Sequence, residues 1–291
     1  MKNTRKLAWH HFKFQIPAEW EITAYSVEDR AGRIEFSTRR GFQALVAWEP
    51  CKRTPDTETM MQSFLRNHVP RSDSSRTVSI GNLKTQTVGS FLLGYQDEDQ
   101  PCQAMHYLEN ERKLIWWVFT FSRKQLVKKV WPTILESFEP NTAEIREYAI
   151  CGHNFCLPEE FSLEDMTVLP ANVMISFESK QKVRATFRRW GMPELVLASS
   201  SLTAFYSTFL RSLKCYPQDI QTTTVSGMEA VSIRYEQRGE HKMDKFLGRL
   251  WKNGKAWLWH NRDEMRLYSF ETIGPDKVLP LKFEKVFPHL K

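Results

Sequence analysis

The sequence predicts an α+β protein made of two tandem copies of one domain, each an antiparallel β-sheet flanked by helices. Three observations predict it: a pattern repeated in order along both halves, apolar residues alternating at strand period, and intervening segments with apolar residues at helical spacing. The repeat appears when Phe14-Gln15-Ile16-Pro17-Ala18-Glu19-Trp20 is set over Phe155-Cys156-Leu157-Pro158-Glu159-Glu160-Phe161. The same offset brings Ile34 and Phe36 over Ile175 and Phe177. Further on, Ser63-Phe64-Leu65-Arg66 matches Thr208-Phe209-Leu210-Arg211, and Pro132 and Glu136 match Pro280 and Glu284. The copies are assigned to residues 1–142 and 143–291, joined near Asn141-Thr142-Ala143-Glu144. A chain of 291 residues fits two domains.

Within a copy, Phe12, Phe14 and Ile16 alternate with Lys13 and Gln15, a half-buried strand ended by Pro17. Residues 33–37 and 43–48 read as a hairpin about Arg39-Arg40-Gly41, matched by 173–178 and 183–190. Met60, Met61, Phe64, Leu65 and His68 have helical spacing, as do Leu202, Phe205, Phe209 and Leu213. Leu114 to Phe121 is an apolar strand, and its counterpart is read from Ala256-Trp257-Leu258-Trp259, after a hairpin turn at Asn253-Gly254. Helices near Lys124–Phe138 and Asp276–Val286 close the copies, the first bent or restarted at Pro132.

This order, opening on F-x-I-P-x-x-W and closing on I-L-x-S-F (Ile134, Leu135, Ser137, Phe138), resembles the PsbP-like α/β/α sandwich. That superfamily includes the photosystem PsbP subunit, a small Ran-binding nuclear transport factor and bacterial DcrB-like proteins, some of them cytoplasmic chaperones for type VI secretion effectors. The resemblance covers nearly the whole chain. It implies a binding or assembly role without a shared catalytic motif, so it carries over no catalytic residue. The second copy departs from the pattern at Phe161, where the tryptophan is lost, and at Val286-Phe287.

Composition narrows the function classes. The formal charge is +7, with both signs interspersed along both halves, as on a solvated mixed surface. Five scattered cysteines make no disulfide framework. No segment has the run of about 18 apolar residues a membrane span needs, and MKNTRKLAWHHF lacks the apolar stretch of a signal peptide. A cytoplasmic protein is expected.

Chemistry is sought first at Cys151, His153 and Cys156. Zinc sites favour cysteines two to four residues apart with a second pair elsewhere. Here the spacing is wider, and strand alternation puts Cys151 and His153 on one face and Cys156 on the other. His153 also falls where the first copy has Phe12, so a packed histidine is expected. His10-His11 is read on the first strand, pointing to opposite faces, and His260-Asn261-Arg262-Asp263-Glu264 as a charged loop, with Trp117 aligned to His260. No motif for nucleophile, phosphate loop, dinucleotide, zinc or calcium appears, and no catalytic residue, metal or cofactor is assigned.

The remaining signal is aromatic and basic. Trp48 and Trp190 fall at nearly equivalent hairpin ends, one residue out of register, with Arg184, Arg188 and Arg189 nearby. Trp116 and Trp117 are read in the strand equivalent to that of Trp257 and Trp259, facing opposite ways so that one is less buried. Sheet core accounts for most of these rings. The functional alternative is a binding face of Trp48, Arg184, Arg188, Arg189, Trp190, Trp116 and Trp117, tryptophan and arginine being enriched at interaction hot spots. The expected function is a noncatalytic cytoplasmic protein-interaction module, adaptor or chaperone-like, whose partner is another protein. The alternatives are a nucleic-acid binder stacking bases on an Arg/Trp surface, and an enzyme with a site between the copies.

Overall fold

Residues 3–27, 31–53, 56, 59–60, 84–95, 101–122, 131–169, 171–198, 200–238, 251–275 and 281–290 are described by a computed structural model. The chain divides into two compact units, Met1–Thr142 and Ala143–Lys291.

Unit 1 opens with a hairpin of β1 (Thr4–Ala8) and β2 (Phe12–Pro17). Its sheet comprises β3 (Glu21–Val27), β4 (Gly32–Thr38), β5 (Gly41–Pro50), β6 (Lys84–Val88), β7 (Phe91–Tyr95), β8 (Pro101–Leu108) and β9 (Lys113–Ser122). These seven strands run in the order β3-β4-β5-β9-β8-β7-β6. The unit ends with α1 (Trp131–Ile134) and the short β10 (Glu139–Pro140), which pairs with β2.

Unit 2 repeats the plan. A hairpin of β11 (Ile145–Ile150) and β12 (His153–Pro158) precedes β13 (Phe161–Leu169), β14 (Asn172–Ser179) and β15 (Arg184–Gly191). Helices α2 (Pro193–Leu197) and α3 (Leu202–Ser212) follow. Next come β16 (Cys215–Val225), β17 (Met228–Arg238), β18 (Trp251–Asn261), β19 (Arg266–Gly274) and α4 (Phe283–Val286). The sheet order is β13-β14-β15-β19-β18-β17-β16, strand for strand that of unit 1.

The expected α+β layering with flanking helices does not hold, because the described chain is β-rich. Strands β16 to β19 run for nine to eleven residues each, while the longest described helix, α3, has eleven and α1 and α4 have four. The reason lies in how one sheet face is covered. Tyr148 and Phe155 of the β11–β12 hairpin stack on Phe177 and Phe187 of the sheet, so strands take the place of a helical layer. In unit 1 Phe12 and Phe14 do the same against Trp48, Phe36 and Trp117. Each such ring pair adds about 0.5–1.5 kcal/mol beyond its area burial. The last helix of unit 2 is correspondingly short: Phe283 and Phe287 plug the aromatic layer over Trp257, Trp259 and Phe270. The helix read from Met60 to His68 lies outside the described residues except at Met60, as does most of the Lys124–Phe138 helix before Trp131.

Asn253-Gly254 does not form a turn; both residues lie inside β18. Gly254 is paired with Tyr235, and a Cβ there would sit 2.3 Å from the tyrosine ring. Packing of that ring against the bare backbone overrides the local turn preference of the dipeptide.

Candidate functional site

The shared strand order corrects the tryptophan alignment. Trp117 lies in β9, whose counterpart is β19, whereas Trp257 and Trp259 lie in β18, the counterpart of β8. Pairing Val46 with Trp117 and Phe187 with Phe270 makes Trp117 the equivalent of Phe270, not of His260. Trp116 and Trp117 do face opposite ways, but both are buried, because both faces of the sheet are covered. Trp117 packs on Phe14 and Phe36 beneath the hairpin, and Trp116 joins Met105 and Leu114 on the other face. Trp48 and Trp190 also part company. Register places Arg189 opposite Tyr268 as Trp48 is opposite Ile115, so Trp48 points to the hairpin side with Trp9 and Phe12. Trp190 points to the helix side with Phe205 and Phe209. All four rings are buried.

The arginines have partners of their own. Arg184 is half exposed and pairs with Glu164 at 2.9 Å. Arg189 donates to the Cys151 carbonyl. Arg188 lies under α3 with its Nε 3.1 Å from Glu271 and its guanidinium 5.2 Å from the centroid of Phe209. Glu271 also accepts from Tyr206 of α3 at 3.0 Å and from Ser269 at 3.0 Å. Beside it Ser176 and Thr186 share a hydrogen bond of 2.9 Å. Here a polar network joins helix to sheet within an otherwise apolar cluster of Leu202, Leu210, Val231, Ile233 and Leu258. Burial and then the nearby Glu271 push the Cys215 thiol up to about 12, leaving it without nucleophilic character. Burial, with Glu271 second, likewise raises Tyr206 well above the ordinary range.

Cys151 is not on a strand. Cys151-Gly152 is the two-residue turn between β11 and β12, with φ of 50° and 84°, both positive as a type I′ turn requires. His153 follows, fully buried against Phe187 and Tyr268, with no partner for its Nε2. Desolvation first, and Arg189 second, hold its pKa down to about 3. The unfolded imidazole titrates near 6.5, so between the two values the unfolded chain binds the extra proton and stability rises with pH. As pH falls from about 6.5 toward 3, unfolding free energy is expected to drop by up to about 1.4 kcal/mol per pH unit from this group. His153→Phe, which restores the residue of the first copy, should flatten that slope in denaturant titrations at pH 5 to 7.

His10 and His11 lie between β1 and β2 rather than on a strand, with His11 Nδ1 3.1 Å from Glu111. In unit 2 the acid at the matching turn position, Glu264, instead accepts from Tyr268. His260 lines a shallow cleft with Glu229, Asn261, Arg262 and Asp263, where Arg262 and Glu229 are 3.6 Å apart. Among the described residues no group of three ligating side chains is placed to hold a metal ion, and no helix is long and apolar enough to cross a membrane.

Exposed apolar residues concentrate elsewhere. Of eight large apolar side chains exposed among the described residues, four stand at one end of the unit 2 sheet: Leu169 closes β13, Met192 precedes α2, Leu195 lies on α2, and Met265 lies in the turn between β18 and β19. Local structure holds them outward. Met192 caps α2 in the left-handed region at φ 54°, and Ala198 closes it at φ 44°. Pro193 is buried and Val196 and Leu197 pack on the core, which leaves Leu195 73% exposed. Gly191 N–H donates to the Ala171 carbonyl at 2.8 Å, tying α2 to the turn after Leu169. Gly191 also pairs with Arg266, next to Met265, which is itself at φ 53°. Two methionines in a backbone region unfavourable to side chains thus present apolar groups to solvent. The sequence offers a weak signal for this, a Gly-Met-Pro and a Glu-Met-Arg at strand ends.

No family model matches the chain, and no curated protein matches it. Two solved structures from Pseudomonas aeruginosa show a limited likeness. One is PA94, a protein of unknown function described as a putative regulator, at 10% identity and TM-score 0.25, covering 46% of this chain and 85% of its own. The other is the apo immunity protein TplEi of the T6SS, at 12% identity and TM-score 0.34, covering 98% of this chain and 94% of its own. Likeness at this level carries no argument about the present chain.

Proposed function

We propose that the chain is a noncatalytic protein-interaction module, adaptor or chaperone-like, that works in the cytoplasm through the loop end of unit 2. The observation that supports this is the grouping of Leu169, Met192, Leu195 and Met265 at one end of the unit 2 sheet, outward and exposed, while Trp48, Trp116, Trp117 and Trp190 are packed inside. Clustered surface apolar residues mark interaction sites, and methionine adapts its shape to varied partners. The cysteines, all outside disulfides, suit a reducing compartment. Arg188 and Glu271 serve packing of α3, so the arginines are not arrayed as a phosphate-binding stripe.

The test is affinity capture from the native host with the full chain and with Met192→Glu/Leu195→Glu. A stoichiometric protein partner is expected with the wild type. The double variant should weaken it by about 2 kcal/mol, roughly thirtyfold in Kd, with thermal stability within about 0.5 kcal/mol of the wild type. A partner whose affinity ignores both substitutions would sink the reading.

A further inference from the structure

We propose that the chain self-associates through β16, which pairs antiparallel with β16 of a second copy and continues the unit 2 sheet across a two-fold axis. β16 is the last strand of its sheet, so its outer side carries main-chain donors and acceptors that a further strand can meet. The other three edges of the seven-stranded sheets are blunted. β3 is bulged at Ile22/Ala24, and β13 is bulged at Leu163/Asp165, where it also carries Glu164 and Asp165. β6, the counterpart of β16, has five described residues, among them Lys84. In β16 the protective features are confined to the first half: Pro217, the bulge at Pro217/Asp219, and Asp219 itself. From Ile220 to Val225 the strand reads Ile-Gln-Thr-Thr-Thr-Val, without charge, proline or glycine, and pairs with β17 in unbroken register. Ile220 through Thr224 are all exposed.

A second copy is the occupant these residues favour. A two-fold axis normal to the sheet sets residues of the same face opposite one another. With the axis at Thr222, that residue meets its own copy, Gln221 meets Thr223, Ile220 meets Thr224 and Asp219 meets Val225. Branched and hydrogen-bonding side chains therefore oppose their like, and the two aspartates lie at opposite ends of the paired segment, so no charge faces its own copy. This surface is separate from Leu195 and Met192, and the two proposals stand or fall independently.

Sedimentation velocity on the full chain decides it. The wild type is expected to sediment at twice the 34.3 kDa chain mass as concentration rises through the micromolar range. Thr222→Lys/Thr224→Lys, which places like charges across the axis, should return it to the single-chain mass with an unchanged circular dichroism spectrum. Hydrogen exchange of the unmodified chain gives a second reading: the amides of Ile220–Val225 that point away from β17 should exchange faster on dilution. A wild type that stays monomeric overturns the pairing and leaves the edge to an extended segment of another protein. A dimer indifferent to both lysines, or β16 exchange indifferent to dilution, overturns it equally.

Discussion

Glu271→Leu is expected to destabilise the protein by about 3–5 kcal/mol in guanidinium titrations, because it leaves a buried guanidinium without its counter-charge. Arg188 and Glu271 side chains are only 14% and 8% exposed, and the same carboxylate holds the hydroxyls of Tyr206 and Ser269. All three donors lose their acceptor at once. The pair itself is not required by the fold, and unit 1 shows this. Register equates Arg188 with Ala47 and Glu271 with Val118, and Ser269 with Trp116, so the same sheet face is apolar there. Removing both charges should accordingly cost much less than removing one. Arg188→Ala/Glu271→Val is expected to recover at least half of the single-variant loss, the remainder reflecting the stranded Tyr206 hydroxyl and the space under α3. A Glu271→Leu loss below about 1 kcal/mol would show that the network is hydrated rather than buried.

The duplication is legible in the sequence because it rests on short patterns that a strand end imposes directly: Phe-x-Ile-Pro before a turn, and apolar alternation in β4 and β14. Features that depend on a distant partner are not. Glu271 meets Arg188 across 83 residues of chain, and the one local hint is an acid in the otherwise uncharged run Leu-Tyr-Ser-Phe-Glu-Thr-Ile. Asn253-Gly254 carries a strong turn signature that a tyrosine ring from the next strand overrules. Parity matters as much. Trp48 and Trp190 differ by one residue in register, which in a strand means the opposite face, so two residues that look equivalent belong to different cores. The α+β expectation fails for a related reason: apolar alternation shows that a sheet face is covered, and not whether a helix or a hairpin covers it. Exposed Leu195 and Met192 are invisible to composition, since only the inward packing of Pro193, Val196 and Leu197 fixes which side of α2 faces solvent.

Trp117 separates a packed sheet from a binding face by stability rather than by ligand. Its ring is fully buried, 4.8 Å from Phe14 edge to face, stacked on Phe119 at 5.5 Å and close to Phe36. Trp117→Ala removes a large ring from the centre of that layer and is expected to destabilise the protein by about 3–5 kcal/mol, the range for emptying an aromatic core position. Trp117→Phe should behave very differently. The indole Nε1 is buried without a hydrogen-bond partner, so phenylalanine, the residue unit 2 has at this place as Phe270, removes an unsatisfied donor while keeping most of the ring contacts. Lost volume and lost desolvation penalty then oppose each other, and the net change is expected within about 1.5 kcal/mol. Thermal and denaturant unfolding of the two variants supply the comparison. A chain that tolerates alanine at 117 as well as phenylalanine, while losing a bound partner, would place this ring in a recognition surface and not in the core.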